Sequence, residues 1–228
     1  MKVLFDHQIF LLQKYGGISR YIINLNRNLN NQKIQSKICA PIAINSYLKN
    51  QNENKINHFN FKKIYRYCTK AFNLYNDTFT KLYTNKIKPD IIHLTYYKKK
   101  FDLKKKIPIV LTVYDLIHEK FYKNYNLSKN NQWKKEHLKN ADHIICISKN
   151  TQEDLLNYYD INKEKTSVIY LASNINSSSL NFNKTTKYEK NFLLYVGERK
   201  KYKNFYNFIE AFSLSEKLKK EFNVICCG

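Results

Sequence analysis

Gly16 and Gly17 stand side by side in a chain with only four glycines, shortly after the apolar run "KVLF" and just before a helix-like run that starts at Ile18. Glycine has no Cβ and takes positive φ cheaply, and a helix start offers unpaired N–H groups, so the pair suits close approach of a phosphate or sugar. It suits equally a tight turn that joins loop to helix. The GxGxxG pattern of dinucleotide-binding loops is absent.

Other polar residues follow apolar runs in the same manner. Asp6 and His7 come after "KVLF", Tyr96 and Tyr97 after "IIHLT", and Tyr114, Asp115, His118 and Glu119 after "IVLTV". Ser148 comes after "IICI", and Arg199 and Lys203 after "LLYVG". In open parallel sheets, ligands sit beyond the carboxyl ends of the strands, so these residues would collect on a sheet rim. Taken singly they read more plainly: His118 as a helix-start histidine, Tyr96 and Tyr97 as half-buried aromatics among nineteen tyrosines, and Ser148 as a helix cap before a ligand contact. His137 and His143 have no partner pattern.

The elements that must position this rim alternate. "KVLF", "QSKICAPI", "DIIHLTY", "IPIVLTVYD", "HIICIS" and "SVIYL" read as strands that are apolar nearly throughout. Between them, Ile18, Tyr21, Ile22, Leu25 and Leu29 share a helical face, and Phe61 to Ile87 is a long charged helix with Phe61, Ile64, Tyr65, Cys68, Phe72 and Tyr75 at helical spacing. "SKNNQWKKEHLKNA" and "KNTQEDLLNYY" are further helices, the latter capped by Ser148, Asn150 or Thr151. Apolar strands separated by helices predict a parallel sheet covered on both faces.

After Leu171 the chain turns polar, and "ASNINSSSLNFNKTTKYEKN" lacks periodicity, as a linker would. "FLLYVG", a helix from about Asn204 to Lys220, and "NVICCG" then make one strand, helix, strand unit. The expected organisation is α/β: a Rossmann-like domain over 1–172, a linker over 173–190, and the start of a second Rossmann-like domain over 191–228.

With 228 residues, 43% of them hydrophobic, the chain can bury a sizeable core, which excludes a disordered protein. Forty Lys and Arg against eighteen Asp and Glu give a formal charge of +22, a balance that favours anionic partners. Lysine and asparagine are spread along the whole chain, as a biased genomic composition would leave them, and no zinc finger, RNP aromatic motif or basic recognition helix accompanies the charge. The lysine runs "YKKKF" and "LKKKI" read as solvated faces that could also touch anionic lipid. No apolar run approaches the ~20 residues of a membrane span, and "MKVLFDHQIF" lacks the form of a signal peptide. Five cysteines show no metal-ligand spacing and cannot all pair, which fits a reducing compartment.

In order along the chain, "DHQIFLLQKYGGISRYIINL", "HLTYY", "VLTVYDLIHEKF", "ADHIICISKNTQEDLLNYYDINKEKTSVIYLA" and "FLLYVGERKKYKNFYNFIEAF" resemble glycosyltransferases of family 4, also called group 1. The resemblance is to the mannosyltransferase-like enzymes of bacterial surface polysaccharide assembly, including lipopolysaccharide. It implies a GT-B fold: two Rossmann-like domains, the first binding the acceptor and the second the nucleotide-sugar donor. It also implies transfer with retained anomeric configuration, no metal and no other cofactor, a glycan or lipid-linked glycan acceptor, and a cytoplasmic location that can include the inner face of the cell membrane.

By the same resemblance, Gly16 and Gly17 approach the donor's diphosphate and sugar, His118 in "YDLIHE" lies near the transferred sugar, and Arg199 and Lys203 in "GERKKYKN" hold the diphosphate. Tyr96, Tyr97 and Ser148 would line the acceptor side of the cleft. The family's Glu-x7-Glu motif is a departure: no two glutamates of this chain have that spacing. The expectation is a truncated or split enzyme, inactive alone, with a silent glycan-binding scaffold as the alternative and a basic nucleic-acid binder as a third reading.

Overall fold

The structure is a computed structural model describing residues 1–49, 62–97, 107–125, 132–173, 191–199 and 201–227. Tertiary contacts divide the chain into two units, Met1–Glu119 with Lys129–Leu171, and Lys120–Ser128 with Ala172–Gly228.

The first unit is built on six parallel strands: β1 (Lys2–Phe5), β2 (Gln35–Ile38), β3 (Ile91–Leu94), β4 (Ile109–Val113), β5 (His143–Cys146) and β6 (Thr166–Val168). Their order in the sheet is β2-β1-β3-β4-β5-β6, with Phe5 opposite both Ile38 and His93. Its helices are α1 (Gln8–Leu12), α2 (Gly17–Asn31), α3 (Ser46–Lys49), α4 (Lys62–Ile87), α6 (Gln132–Asn140) and α7 (Lys149–Tyr158), together with the first turn of α5 (Ile117–Tyr125), whose remainder is grouped with the second unit; α5 precedes α6 in chain order. Successive strand residues point to opposite faces. Val3 and Phe5 therefore join Ile9, Phe10 and Ile22 in one apolar cluster, while Leu4 joins Ile92, Leu111, Ile144 and Leu155 in another. Both faces are covered over the central strands, which is why β1, β3 and β4 are apolar nearly throughout, whereas the edge strand β2 alternates between exposed and buried residues. Burial raises the thiols of Cys39 and Cys146 to about 11, so both stay neutral.

The strand order has one consequence that periodicity cannot supply. From β1 the chain first adds β2 on one side and then returns to place β3 on the other, so the order reverses between β1 and β3. In doubly wound sheets the crevice outside such a reversal, at the carboxyl ends, is where ligands bind.

Several elements differ from the sequence expectation. The strand expected over "SVIYL" ends at Val168, and Ile169, Tyr170 and Leu171 are exposed. In α4, Tyr75 of the expected apolar face is exposed while Cys68 and Phe72 are half-buried, and Asn76, Thr80 and Thr84 are buried further along; the side chains of Phe61, Ile64 and Tyr65 lie outside the described residues. Short helices α1, α3 and α5 were not foreshadowed by any periodicity, because one or two turns contain too few apolar positions to reveal one. Most of the expected linker and both lysine runs fall outside the described residues.

The second unit contains β7 (Asn191–Val196), α8 (Phe205–Leu214), α9 (Glu216–Glu221) and β8 (Phe222–Cys227), with β7 and β8 parallel and Leu194 opposite Ile225. The single helix expected over 204–220 is broken at Ser215, whose Oγ accepts from the Leu218 N–H at 3.3 Å and so caps α9. Tyr195 packs against Phe205 and Phe208, with ring centroids 4.8 and 6.0 Å away. None of this unit's described residues is buried.

Candidate functional site

The rim is built from the ends of β1, β3 and β4. Asp6, immediately after β1, is 4% exposed. Its Oδ1 accepts from the Thr95 N–H at 2.8 Å and from the Thr95 hydroxyl, and Thr95 Oγ1 in turn accepts from the Ile9 N–H at 3.2 Å. One carboxylate oxygen thus ties β1 to β3 across the reversal of strand order. The other, Oδ2, is buried without a hydrogen-bond partner.

Next to it, α2 begins at Gly16 and Gly17. Neither glycine is there for a positive φ: Gly16 has the extended value of 177°, and Gly197 is the positive-φ glycine among the described residues. A Cβ at Gly16 would stand 2.1 Å from Gln13 Oε1, so the Gln13 amide would have to swing away to admit one. That oxygen accepts from the Ser19 N–H at 3.3 Å, while the Ser19 hydroxyl donates to the Gly16 carbonyl at 3.0 Å. Gln13 therefore already occupies one donor of the helix start. Gly17, by contrast, has nothing within 4 Å of where a Cβ would be, so a ligand can approach its backbone there.

Tyr21, one turn into α2, meets Tyr114 edge-on at 5.8 Å. Tyr114 follows β4, and its hydroxyl is buried without a partner. Burial first, then Tyr21 and Asp6 nearby, push this phenol well above its usual range, so it remains protonated and able to donate. Tyr96 and Tyr97 follow β3 with centroids 5.0 Å apart and diverge into opposite cores. Both phenols are raised chiefly by burial, with Asp115 and Glu119 adding to the effect.

Asp115 opens α5, its Oδ1 accepting from the Ile117 N–H at 3.2 Å. In the first turn of that helix His118 is exposed and Glu119 points inward. Glu119 Oε1 lies 3.0 Å from Lys134 Nζ and accepts from the Tyr159 hydroxyl at 2.6 Å. Lys134 also donates to the Asp115 carbonyl at 2.8 Å and sits 5.4 Å from the centre of the Tyr97 ring. Burial lowers the pKa of Lys134 and the nearby Glu119 opposes it. This buried pair grips the turn bearing His118 at both ends, Asp115 and Glu119, while Glu119 Oε2 stays buried and unpartnered. Sequence reasoning placed Glu119 on the rim but missed Lys134, which stands in "QWKKEHLKN" among lysines of identical local pattern.

Ser148 begins α7 after β5, and its Oγ accepts from the Thr151 N–H at 3.1 Å and lies 2.9 Å from the Thr151 hydroxyl. Its hydrogen bonds go to the cap. In the second unit, Arg199 and Lys203 are exposed between β7 and α8; the Arg199 guanidinium lies 5.6 Å from the Phe205 ring centre and the Lys203 ammonium 5.3 Å from that of Tyr202. The described residues therefore bring Gly17, Tyr21, Tyr96, Tyr114 and the His118 turn to the carboxyl-end rim of the first unit, with the basic pair on the second.

The fold is shared with solved glycosyltransferases of the GT-B class. A lipopolysaccharide outer core galactosyltransferase, WaaB, in its apo form, matches with a TM-score of 0.55 at 15% identity, covering 100% of this chain and 68% of that one. A glycosyltransferase from Rickettsia africae matches with a TM-score of 0.50, also at 15% identity, over 100% of this chain and 68% of that one. A family model, Glycosyltransferase Family 4, matches residues 15–176, so the chain belongs to glycosyltransferase family 4. No curated protein matches the sequence.

Proposed function

We propose that the first unit is the acceptor side of a retaining glycosyltransferase that moves a hexose from a nucleoside-diphosphate sugar to a lipopolysaccharide or other surface glycan. The observation that carries this reading is the pair of unpartnered buried oxygens Asp6 Oδ2 and Tyr114 OH, on residues that directly follow β1 and β4, with Asp6 bonded across the reversal of strand order. Ionised carboxylate oxygens can only accept hydrogen bonds. Their ligand must supply donors, which sugar hydroxyls do and phosphates do not. The membership of family 4 and the WaaB likeness support the same class of acceptor; mannose and galactose are the two donor sugars to try first.

In this reading the acceptor hydroxyl attacks the anomeric carbon as the bond to the diphosphate breaks, and the departing phosphate oxygen takes the hydroxyl proton on the same face, with no metal needed. On the first unit, His118 would hydrogen-bond the transferred sugar and the open backbone at Gly17 would approach its diphosphate; on the second unit, Arg199 and Lys203 are cations of the kind that offset phosphate charge. Tyr96 lines the acceptor side. Gly16, Tyr97 and Ser148 act through structure: a close packing with Gln13, a core ring and a helix cap.

Calorimetric titration with lipid-A core oligosaccharides and short mannosides and galactosides tests this. Saturable binding is expected, weakened roughly tenfold by Asp6→Asn or Tyr114→Phe, since each removes one hydrogen bond to a desolvated partner. Absence of glycan binding, or binding that both variants leave unchanged, would remove the acceptor assignment.

A further inference from the structure

Among the rim residues described above, Tyr21, Tyr96, Tyr97 and Tyr114 are half-buried, but one further ring beside them is not: Tyr15 is 62% exposed. It stands in the turn between α1 and α2, two residues before the open backbone at Gly17. An exposed aromatic needs no explanation by itself, but this one rests on a built support. Asn45, fully buried, donates to the Gln13 carbonyl at 2.7 Å, and its Oδ1 accepts from the N–H groups of Tyr47 and Leu48 at 3.1 and 3.3 Å. The Ser46 N–H donates to the Lys14 carbonyl at 2.9 Å, and the Ile44 N–H to the Phe10 carbonyl at 3.0 Å. These bonds pin the turn after α1 to the segment that follows β2. Tyr47, packed against the cluster of Phe5 and Phe10, meets Tyr15 nearly perpendicular with centroids 5.6 Å apart, and the Lys14 ammonium lies 5.4 Å from the Tyr15 ring centre. The ring is exposed, but the backbone on which it stands is fixed.

Position and chemistry say what meets it. The segment bonded to the Tyr15 turn follows β2, at one edge of the sheet, whereas Tyr114 follows β4, three places along in the order β2-β1-β3-β4, and Asp6 follows β1 between them. Neighbouring strands lie about 4.8 Å apart, so the carboxyl ends of β2 and β4 are separated by about 14 Å. One hexose does not reach across that span; a chain of several does. The groups along it are also of two kinds. Asp6 Oδ2 and Tyr114 OH are buried and unpartnered, and suit the hydroxyls at the edge of a pyranose. The exposed ring of Tyr15 suits the C–H bonds on a pyranose face, which bring apolar surface to it. Ligand sites ordinarily combine a few fixed polar groups with aromatic surface in this way.

We propose that Tyr15 is the far end of an extended acceptor site, where one sugar of the acceptor glycan stacks a face on its ring while a sugar nearer the reacting hydroxyl meets Asp6 and Tyr114. The acceptor is then an oligosaccharide and not a monosaccharide. This rests on the acceptor reading of the rim, and the test separates the two. Calorimetric titration of the full chain with a size series of mannosides and galactosides, from the monosaccharide upward, should show affinity that rises with length and then levels off. Tyr15→Ala is expected to weaken the longest members roughly tenfold and to leave the shortest sugar that binds at wild-type affinity. Tyr15→Phe should bind the longest members as the wild type does, because the ring face makes the contact and not the hydroxyl. Asp6→Asn should weaken every length. Tyr15 is exposed, so the melting temperature should stay at the wild-type value in both of its variants. Binding that depends on Asp6 but not on Tyr15 at any length would overturn the proposal and leave the acceptor reading standing. No glycan binding at all would overturn both. Affinity that does not grow with length, equal weakening of short and long sugars by Tyr15→Ala, or Tyr15→Phe as weak as Tyr15→Ala would each overturn the stacked subsite.

Discussion

The strands "IVLTV" and "NFLLYV" are both apolar and both sit in parallel sheets, yet Leu111 and Val113 are sealed in the first unit while Leu194 and Val196 face solvent in the second. Composition does not separate them; neighbours do. In the first unit each face of a six-stranded sheet is closed by helices, whereas the second pairs two strands and packs Tyr195 on Phe205 and Phe208 on one side. A two-stranded sheet has too little covered surface to bury either strand. The difference teaches that an apolar run announces a strand, and that the number of layers around it decides whether the strand stabilises anything.

The same contrast holds for ion pairs, and the largest effect should come from breaking it. Glu119→Ala is expected to cost about 3–5 kcal/mol in urea unfolding, because it strands the buried ammonium of Lys134. Glu216→Ala, which removes the exposed partner of Lys219, should change almost nothing. Equal costs would mean that Lys134 finds water in solution. Leu111→Ala comes next, at about 2–5 kcal/mol, against near zero for Leu194→Ala; a large cost for the second would show that Leu194 is covered in solution.

Acid should separate the units too. Burial lowers the pKa of His93 from 6.5 to about 4, so between those values the unfolded chain binds a proton that the folded one refuses. Stability is then complete above about pH 6.5 and declines as pH falls towards about 4, by roughly 3 kcal/mol at most. His93→Gln should flatten much of that slope, measured by urea unfolding across the range. The described part of the second unit has no histidine and should show no counterpart. The smallest expected effect is where the units are alike: Ser148 and Ser215 make the same cap bond, so Ser→Ala at either should reduce local helix stability by about 1 kcal/mol, read by amide hydrogen exchange of α7 and α9.

What could be read in the sequence was local. Apolar runs marked the strands, Ile22 and its neighbours marked α2, and "SKNT" marked the cap at Ser148, because each depends on residues a few positions apart. The reversal of strand order between β1 and β3 depends on pairings across more than eighty residues, such as Val3 with Ile91, and no local pattern encodes it. The partnership of Glu119 with Lys134 and Tyr159 is invisible for the same reason. The contact of Gly16 with Gln13 Oε1 could not be read in the sequence, because it depends on a side-chain rotamer that the sequence does not state. In α4, helical spacing marked the helix but not the burial of Asn76 and Thr80, which depends on Ile42 and His7, hydrogen-bonding neighbours far away in sequence.

The central claim is that sugar hydroxyls meet the rim at Asp6 and Tyr114. It is tested most directly by labelling the tyrosine rings and titrating the protein with a core oligosaccharide while following their NMR signals. The account predicts saturable shifts for Tyr21, Tyr96 and Tyr114, at one shared dissociation constant, that disappear in Asp6→Asn. Shifts confined to rings of the second unit, such as Tyr202 or Tyr206, or identical shifts in Asp6→Asn, would contradict it.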